Sequence, residues 1–330
     1  MNNRRRPRLA VLVFALLVSP PLAGALLAQT DTYPSRAITL IVPFPPGGSA
    51  DTVIRPIAQK VGNNLKQTIV IDNRSGGSGN VAAIATKQAP PDGHTLFLAN
   101  MGLLAVNPSL YPDLRLDPVK DFQPITPIIS FPHILIVPAD SPVKSVAELA
   151  ALAKSKPGGL SFGSQGVGSG GQILGEMFRQ RVGSPMVHVP YRGAGPAVID
   201  VMAGRMDFLF TSYISAGEQA QGGKVRIIAI AGKKPSDAAP GVPTMAEAGF
   251  GGLDLEMWHG MVAPAGTPAP IVSKLNDEFI KASRSPDIAR IVELQATDLL
   301  LSTPDEFSKM IAADTERLGK VIRDTGIKLQ

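Results

Sequence analysis

The sequence predicts an α/β fold of two lobes, each a doubly wound sheet with helices on both faces, joined by two crossing strands. Three observations predict it. Short apolar runs alternate with helix-patterned segments twice over, from Ile38 to Asn100 and again from His133 to Gly232. The 33 glycines and 30 prolines of the 330-residue chain are spread along it, as many strand-to-helix turns require. Two helical patterns near the C-terminus have little sheet of their own, so they are expected to return and pack on the first lobe.

Taken in order, the chain opens on a basic stretch, MNNRRRPR, then an apolar run, LAVLVFALLV, broken at Ser19, Pro20 and Pro21. Small residues follow. This pattern is a cleavable secretory leader over residues 1–28, with cleavage after Ala25 or Ala28 and the export route left open. It is too short and too proline-broken for a good membrane span, so no stable membrane insertion is expected after cleavage. The net charge is +5, and taking away the four leader arginines leaves +1. With no basic run beyond residue 28, one Trp and four Tyr, the chain lacks the equipment for nucleic acid. There are no cysteines, hence no disulfides and no lipid-modified N-terminus. A bacterial periplasmic protein fits these features.

After the leader, ITLIVPF, TIVIDN and TLFLAN read as strands, with helices from about Asp51 to Leu65 and Asn80 to Gln88 between them. HILIVPAD is the next strand. KSVAELAALAKS is a helix opened by a Ser145–Glu148 capping box. The second series follows: LSFGSQ, a helix over about Gln172–Arg181, MVHVPY, a helix over about Ala197–Ala203, MDFLFT, a short helix, and VRIIAIAG. MWHGMVAP is a last strand. One closing helix runs from Pro268 to about Ser283, and another starts with Thr303 as cap, Pro304 at its first position and Glu306 completing a capping box. The crossings between lobes are expected near HILIVPAD and MWHGMVAP, making a hinge with a cleft.

One event recurs three times: a strand ends, a Gly/Ser loop follows, and a helix begins. The segments are PFPPGGSAD, DNRSGGSGN and GSQGVGSGG, with PYRGAGP a looser fourth. In an open α/β sheet such loops lie at the carboxyl ends of strands, where ligands bind. Helix starts offer free N–H groups carrying partial positive charge, and Ser49, Ser78, Ser164 and Ser169 add hydroxyls. A site of neutral donors suits carboxylates. Asp51 is expected to pair with Arg55 on its own helix, and Asp207 to serve the fold.

Other chemistries find little support. Gly166, Gly168 and Gly171 spell the dinucleotide fingerprint, but the acidic residue expected after the next strand is replaced by Tyr191 and Arg192. An Arg there can serve a phosphorylated ribose, so an exported NADP-binding enzyme stays as an alternative that export argues against. There is no phosphate-binding P-loop and no G-x-S-x-G elbow. His94, His133, His188 and His259 are scattered without ligand spacing, so each is read as structural and no metal or other cofactor is expected.

Seven segments in order, ITLIVPFPPGGSAD, IDNRSGGSGN, PPDGHTL, SFGSQGVGSGG, HVPYRGAGPAVIDVMAGRMD, GVPTMAEAGF and APAGTPAPIVSKLN, resemble the signature segments of Bug-type proteins. These are the periplasmic substrate-binding proteins of tripartite tricarboxylate transporters, and the resemblance runs from about Tyr33 to the C-terminus. It implies a two-lobed periplasmic-binding-protein fold of the class with two crossing strands. Lobe one would comprise residues 29–131 and a return segment 253–330, and lobe two residues 132–252. It implies no enzyme, but a receptor that binds a small carboxylate and delivers it to membrane transporter subunits. A role in presenting ligand to a signalling partner is the alternative within that reading. The family's first β–α loop, which contacts a ligand carboxylate, matches here at Phe44, Pro45, Gly47, Gly48 and Ser49. The second-lobe loop matches at Ser164, Gly166, Ser169 and Gly170. Asn100 and Met101 with Gly102, and Thr211 with Ser212 and Tyr213, follow strands that should end at the cleft, so they are expected to contact the variable part of the ligand. No exposed helical seam is evident, and a monomer is expected.

Overall fold

The computed structural model describes residues 33–46, 49–114 and 116–327. The leader over residues 1–28 lies outside the described residues, as do Gly47 and Gly48. The first series runs β1 (Ile38–Val42), α1 (Ser49–Leu65), β2 (Ile69–Asn73), α2 (Asn80–Lys87) and β3 (Thr95–Asn100). β1 and β3 are buried almost throughout, as parallel strands covered on both faces should be. After β3 come a π-helical turn over Gly102–Val106 and the single-turn helix α3 (Asn107–Leu110), neither of which the sequence pattern signals.

β4 (Phe122–Pro138) is 17 residues long, more than twice the expected HILIVPAD. Its part before His133 holds Pro124, Pro127 and Pro132, residues that argue against a central strand. The strand absorbs them by shifting register between Pro124 and Thr126 and again between Pro127 and Ile129. The second series then follows: α4 (Val146–Ser155), β5 (Leu160–Ser164), α5 (Gly170–Val182), β6 (Met186–Pro190), α6 (Ala194–Met202), β7 (Phe208–Ser212), α7 (Tyr213–Gln221) and β8 (Val225–Ala231). The chain closes with β9 (Glu256–Pro264), α8 (Ala269–Ser283), α9 (Pro286–Leu294), β10 (Asp298–Leu299) and α10 (Pro304–Thr325). Three helices therefore close the chain, not two. α9 is opened by Ser285 and by Pro286 at its first position, a start signal short enough to pass for a turn.

Two sheets share β4. In the first, β2, β1, β3 and β9 lie side by side and β9 pairs antiparallel with Phe122–Pro132 of β4. In the second, β6, β5 and β7 follow one another, and β7 and β8 flank His133–Pro138 of β4. The fold is thus a two-lobed α/β architecture whose crossing strands run antiparallel to the parallel sets. At Pro132–His133 β4 exchanges β9 for β7 and β8 as its partners. A second exchange comes just before MWHGMVAP: Leu255 N–H donates to the Ala231 carbonyl of β8 at 3.0 Å, whereas Glu256 pairs with Pro132 in the first sheet. α8 packs on α1 and β4, α9 on α1, and α10 on the Gly102–Val106 turn, β4 and α5.

Local signals act as the sequence reading describes. Thr303 and Glu306 form a complete capping box at α10. At α4 only half of the expected box forms. The Ser145 hydroxyl accepts from Glu148 N–H at 3.2 Å, but the Glu148 carboxylate takes the N–H of Lys144. Asp51 accepts from Arg55 at 2.8 Å and from the Asn73 amide at 3.3 Å, tying α1 to β2. Asp207 accepts from Lys156 at 2.7 Å and from Ser161 N–H at 2.7 Å, so it serves the fold.

Candidate functional site

The Gly/Ser loops lie at the carboxyl ends of β1, β2 and β5, and those after β2 and β5 meet at one seam. The seam is closed by direct contacts. The Ser78 hydroxyl, after β2, bonds Tyr111 Oη at 3.1 Å and donates to the carbonyl of Val167, after β5, at 3.3 Å. Gly168 lies so close to α3 that a Cβ there would stand 2.9 Å from Asn107 Oδ1. Asn107 is itself anchored, donating to Asn80 Oδ1 at 2.7 Å and to the Ser78 carbonyl at 3.2 Å. A Cβ on Gly102 would meet the Gly168 carbonyl at 3.3 Å. Ser78, Asn107, Val167 and Gly168 are thus brought together, although Asn107, Val167 and Gly168 are absent from the expected contact set.

The expected residues fall into three groups. Phe44 is half-buried, and its ring meets that of His259 edge to face at 5.6 Å. Asn100 ends β3 directly opposite His259 across the β3–β9 pairing, its Oδ1 accepting from Leu103 N–H at 2.8 Å. Gly170 opens α5 with Met257 and His133 pressed against it: a Cβ would stand 2.5 Å from Met257 Sδ and 3.1 Å from His133 Cε1. These three converge on one row of rings, for Phe131 lies 5.3 Å from His259 and 6.2 Å from His133, centre to centre.

A second group shapes the loop after β5. The Ser164 hydroxyl is fully buried, bonds His188 Nε2 at 2.7 Å and donates to the Gly166 carbonyl at 3.0 Å, while Gly166 N–H returns a bond to it at 3.2 Å. Ser169 caps α5 through Gln172 N–H at 3.4 Å. Ser164 therefore builds the loop from inside. In the third group, Met101 is fully buried in the apolar core, and Thr211 is fully buried beside Ile134 in the β4–β7 pairing. Strand alternation puts Thr211 on the opposite face from Ser212, which pairs with His133. Pro45 is exposed at the loop after β1, and Ser49 begins α1.

Electrostatically the row is neutral. Burial alone pushes the His259 imidazole down to about 4. Burial also lowers His133 to about 4, with the Gln165 amide pulling weakly the other way. Both rings are uncharged near neutrality. His133 and His259 both lie against Phe131 because β4 runs beside β9, an arrangement with no local mark in the sequence. Among the described residues, no cluster of His, Cys, Asp and Glu could hold a metal ion.

The dinucleotide fingerprint has a different use here. Gly166 takes φ +133 beside the Tyr191 carbonyl, Gly168 lets the loop meet α3, and Gly171 lets α5 approach β7, since a Cβ on it would stand 2.6 Å from the Phe210 carbonyl. A family model described as "Tripartite tricarboxylate transporter family receptor" matches residues 53–327. Protein BugT of Bordetella pertussis is 34% identical over 303 residues, spanning 92% of this chain and 93% of BugT. Rpa4515 of R. palustris, solved with adipate, matches at a TM-score of 0.84 with 32% identity, over 90% of this chain and 99% of that one. MatC of Rhodopseudomonas palustris, solved with bound malate, matches at 0.80 with 31% identity, over 88% and 100%. The chain belongs to the tripartite tricarboxylate transporter receptors, of the Bug type, a family of solute-binding proteins and not of enzymes.

Proposed function

We propose that this chain captures a small carboxylate in the cleft between its two sheets and delivers it to a tripartite tricarboxylate-type membrane transporter. The observation that carries the reading is the meeting of the loops after β2 and β5 at one seam, with Phe44 of the loop after β1 beside it. Relatives of the same fold hold adipate and malate. In this reading the loop of Phe44, Pro45, Gly47, Gly48 and Ser49 holds one carboxylate, with the N–H groups of Gly47, Gly48 and Ser49 at the start of α1 donating to it and Phe44 and Pro45 packing beside it. Gly166, Ser169 and Gly170 close from the other side, and Asn100 contacts the remainder. Ser164 supports the second loop, while Met101 and Thr211 sit behind the contact surface. Lobe one is residues 29–131 with 253–330, and lobe two is residues 132–252, the hinge lying where Pro132 and Glu256 run side by side.

The protein acts in the periplasm as a monomer, exported by a leader over residues 1–28. No helix of the described residues is long and apolar enough to cross a membrane. A thermal-shift screen of mono-, di- and tricarboxylates tests the reading. A carboxylate should raise the melting temperature by mass action, without turnover. Stabilisation by NADP and by no carboxylate is the result that overturns it.

A further inference from the structure

Among the described residues, the buried side-chain polar atoms without a hydrogen-bond partner include Nδ1 of His259 and Nδ1 of His133, both in the ring row at the seam. His259 is the more telling. It is 6% exposed on β9, with Phe44 and Phe131 against its ring, and neither offers a hydrogen-bonding side-chain atom. Asn100 stands opposite, but its carbonyl oxygen already accepts from Leu103 N–H. A position that needed only volume would be filled by Phe or Leu, because a buried polar atom left without a partner is disfavoured. The ring also lies next to the loop that holds the ligand carboxylate in the reading above. A ligand whose carboxylate is held at that loop would bring its body to this ring.

The chemistry of the ring narrows what that body carries. A neutral imidazole offers one donor and one acceptor. It therefore suits a hydroxyl, a carbonyl or a ring nitrogen. An ammonium or second carboxylate placed against it would be buried between apolar rings without a counter-charge, which is strongly disfavoured. We propose that His259 is a specificity-determining residue of the cleft, hydrogen-bonding an uncharged polar group on the body of the bound carboxylate. The ligand class that follows is a small carboxylate bearing a second, uncharged hydrogen-bonding group. Phe44 and Phe131 form the apolar walls on either side. This inference rests on the receptor reading above.

Matched pairs of acids isolate the contact. Dissociation constants for malate and succinate, which differ by one hydroxyl, and for nicotinate and benzoate, which differ by one ring nitrogen, are measured by calorimetry. The wild type should prefer the polar member of at least one pair by tenfold or more, since sites built to bond a polar group reject the analogue lacking it. His259→Phe keeps the ring volume and should bring that ratio to threefold or less, leaving the apolar member within threefold of wild type. His259→Gln, which retains a donor and an acceptor, should keep more of the preference, and melting curves confirm that both variants fold. Equal affinities within both pairs, or a ratio that persists in His259→Phe, overturn the inference and leave the receptor reading standing. Binding of none of the four acids also overturns it, and if the wider carboxylate panel is silent too, the receptor reading falls with it.

Discussion

Gly168→Ala places two costs on two separate measurements. The residue has φ +80, a left-handed backbone that costs an alanine about 1–2 kcal/mol. That cost belongs to the loop itself, open or closed, so the ligand-free protein should melt about 2–6 °C lower. The new Cβ would also stand 2.9 Å from Asn107 Oδ1 and 3.2 Å from Leu110 Cδ1. Asn107 is 2% exposed and held by Asn80 and Ser78, so it has little room to swing aside. Overpacking of this kind costs about 1–3 kcal/mol and arises only while the loop after β5 lies against α3. If closure over the ligand requires that contact, affinity should fall roughly 5- to 150-fold, at about 1.4 kcal/mol per decade. Gly158→Ala is the control: φ is +84 there too, but a Cβ would meet nothing within 4 Å. It should lower the melting temperature alike and leave calorimetric affinity unchanged. A Gly168→Ala protein that binds as tightly as Gly158→Ala would refute the claim that this seam is closed in the ligand-bound state.

Three further outcomes are expected. Ser78→Ala removes the hydroxyl that bonds Val167 and Tyr111, and should weaken binding roughly two- to tenfold by calorimetry; wild-type affinity would show the bond to be incidental. Gly48→Asp puts a negative side chain where the loop after β1 is proposed to hold the carboxylate, and should weaken binding by about an order of magnitude or more; a folded variant that binds normally reduces that loop to a turn. Burial holds His133, His188 and His259 at about 4, below their ordinary 6.5, so as the pH falls the unfolded chain takes up these protons first. Their contribution is complete above about pH 6.5 and is lost toward pH 4, at up to roughly 1.4 kcal/mol per pH unit for each histidine. Urea melts of His259→Phe should show a shallower slope across that window, and an unchanged slope would contradict the assignment.

How much of this was legible in the sequence depended on whether a feature is local. β1 and β3 showed as apolar runs because both of their faces are covered. α10 was readable from Thr303, Pro304 and Glu306, whose cap chemistry acts within one turn. The part of β4 before His133 was hidden because Pro124, Pro127 and Pro132 break the local strand signal, and only pairing with β9 through two register shifts restores it. The site divides likewise. Gly166, Ser169 and Gly170 announce a strand-to-helix loop by composition. The Phe44–His259–Phe131–His133 row carries no such mark, because it exists only once β9 lies beside β4 and the loop after β1 folds over both.

The seam closes on uncharged groups: a hydroxyl on a carbonyl at Ser78–Val167, an amide beside Gly168, a thioether and an imidazole against Gly170. The ion pair between Lys234 and Asp298, at 3.1 Å, lies away from this seam and is exposed on both sides, so it contributes little. Single neutral hydrogen bonds contribute only about 0.5–1.5 kcal/mol each and are short in range. A closed form held this lightly can be tipped by the ligand's own contacts, because a ligand shifts an equilibrium by no more than its differential affinity for the two states. The same reasoning explains why glycine, and not a larger residue, stands at 168 and 170. Side chains there would hold the loop away from Asn107 and Met257, and the seam would open where it has to close. A receptor that must bind and then release gains from a seam made of fit and not of charge.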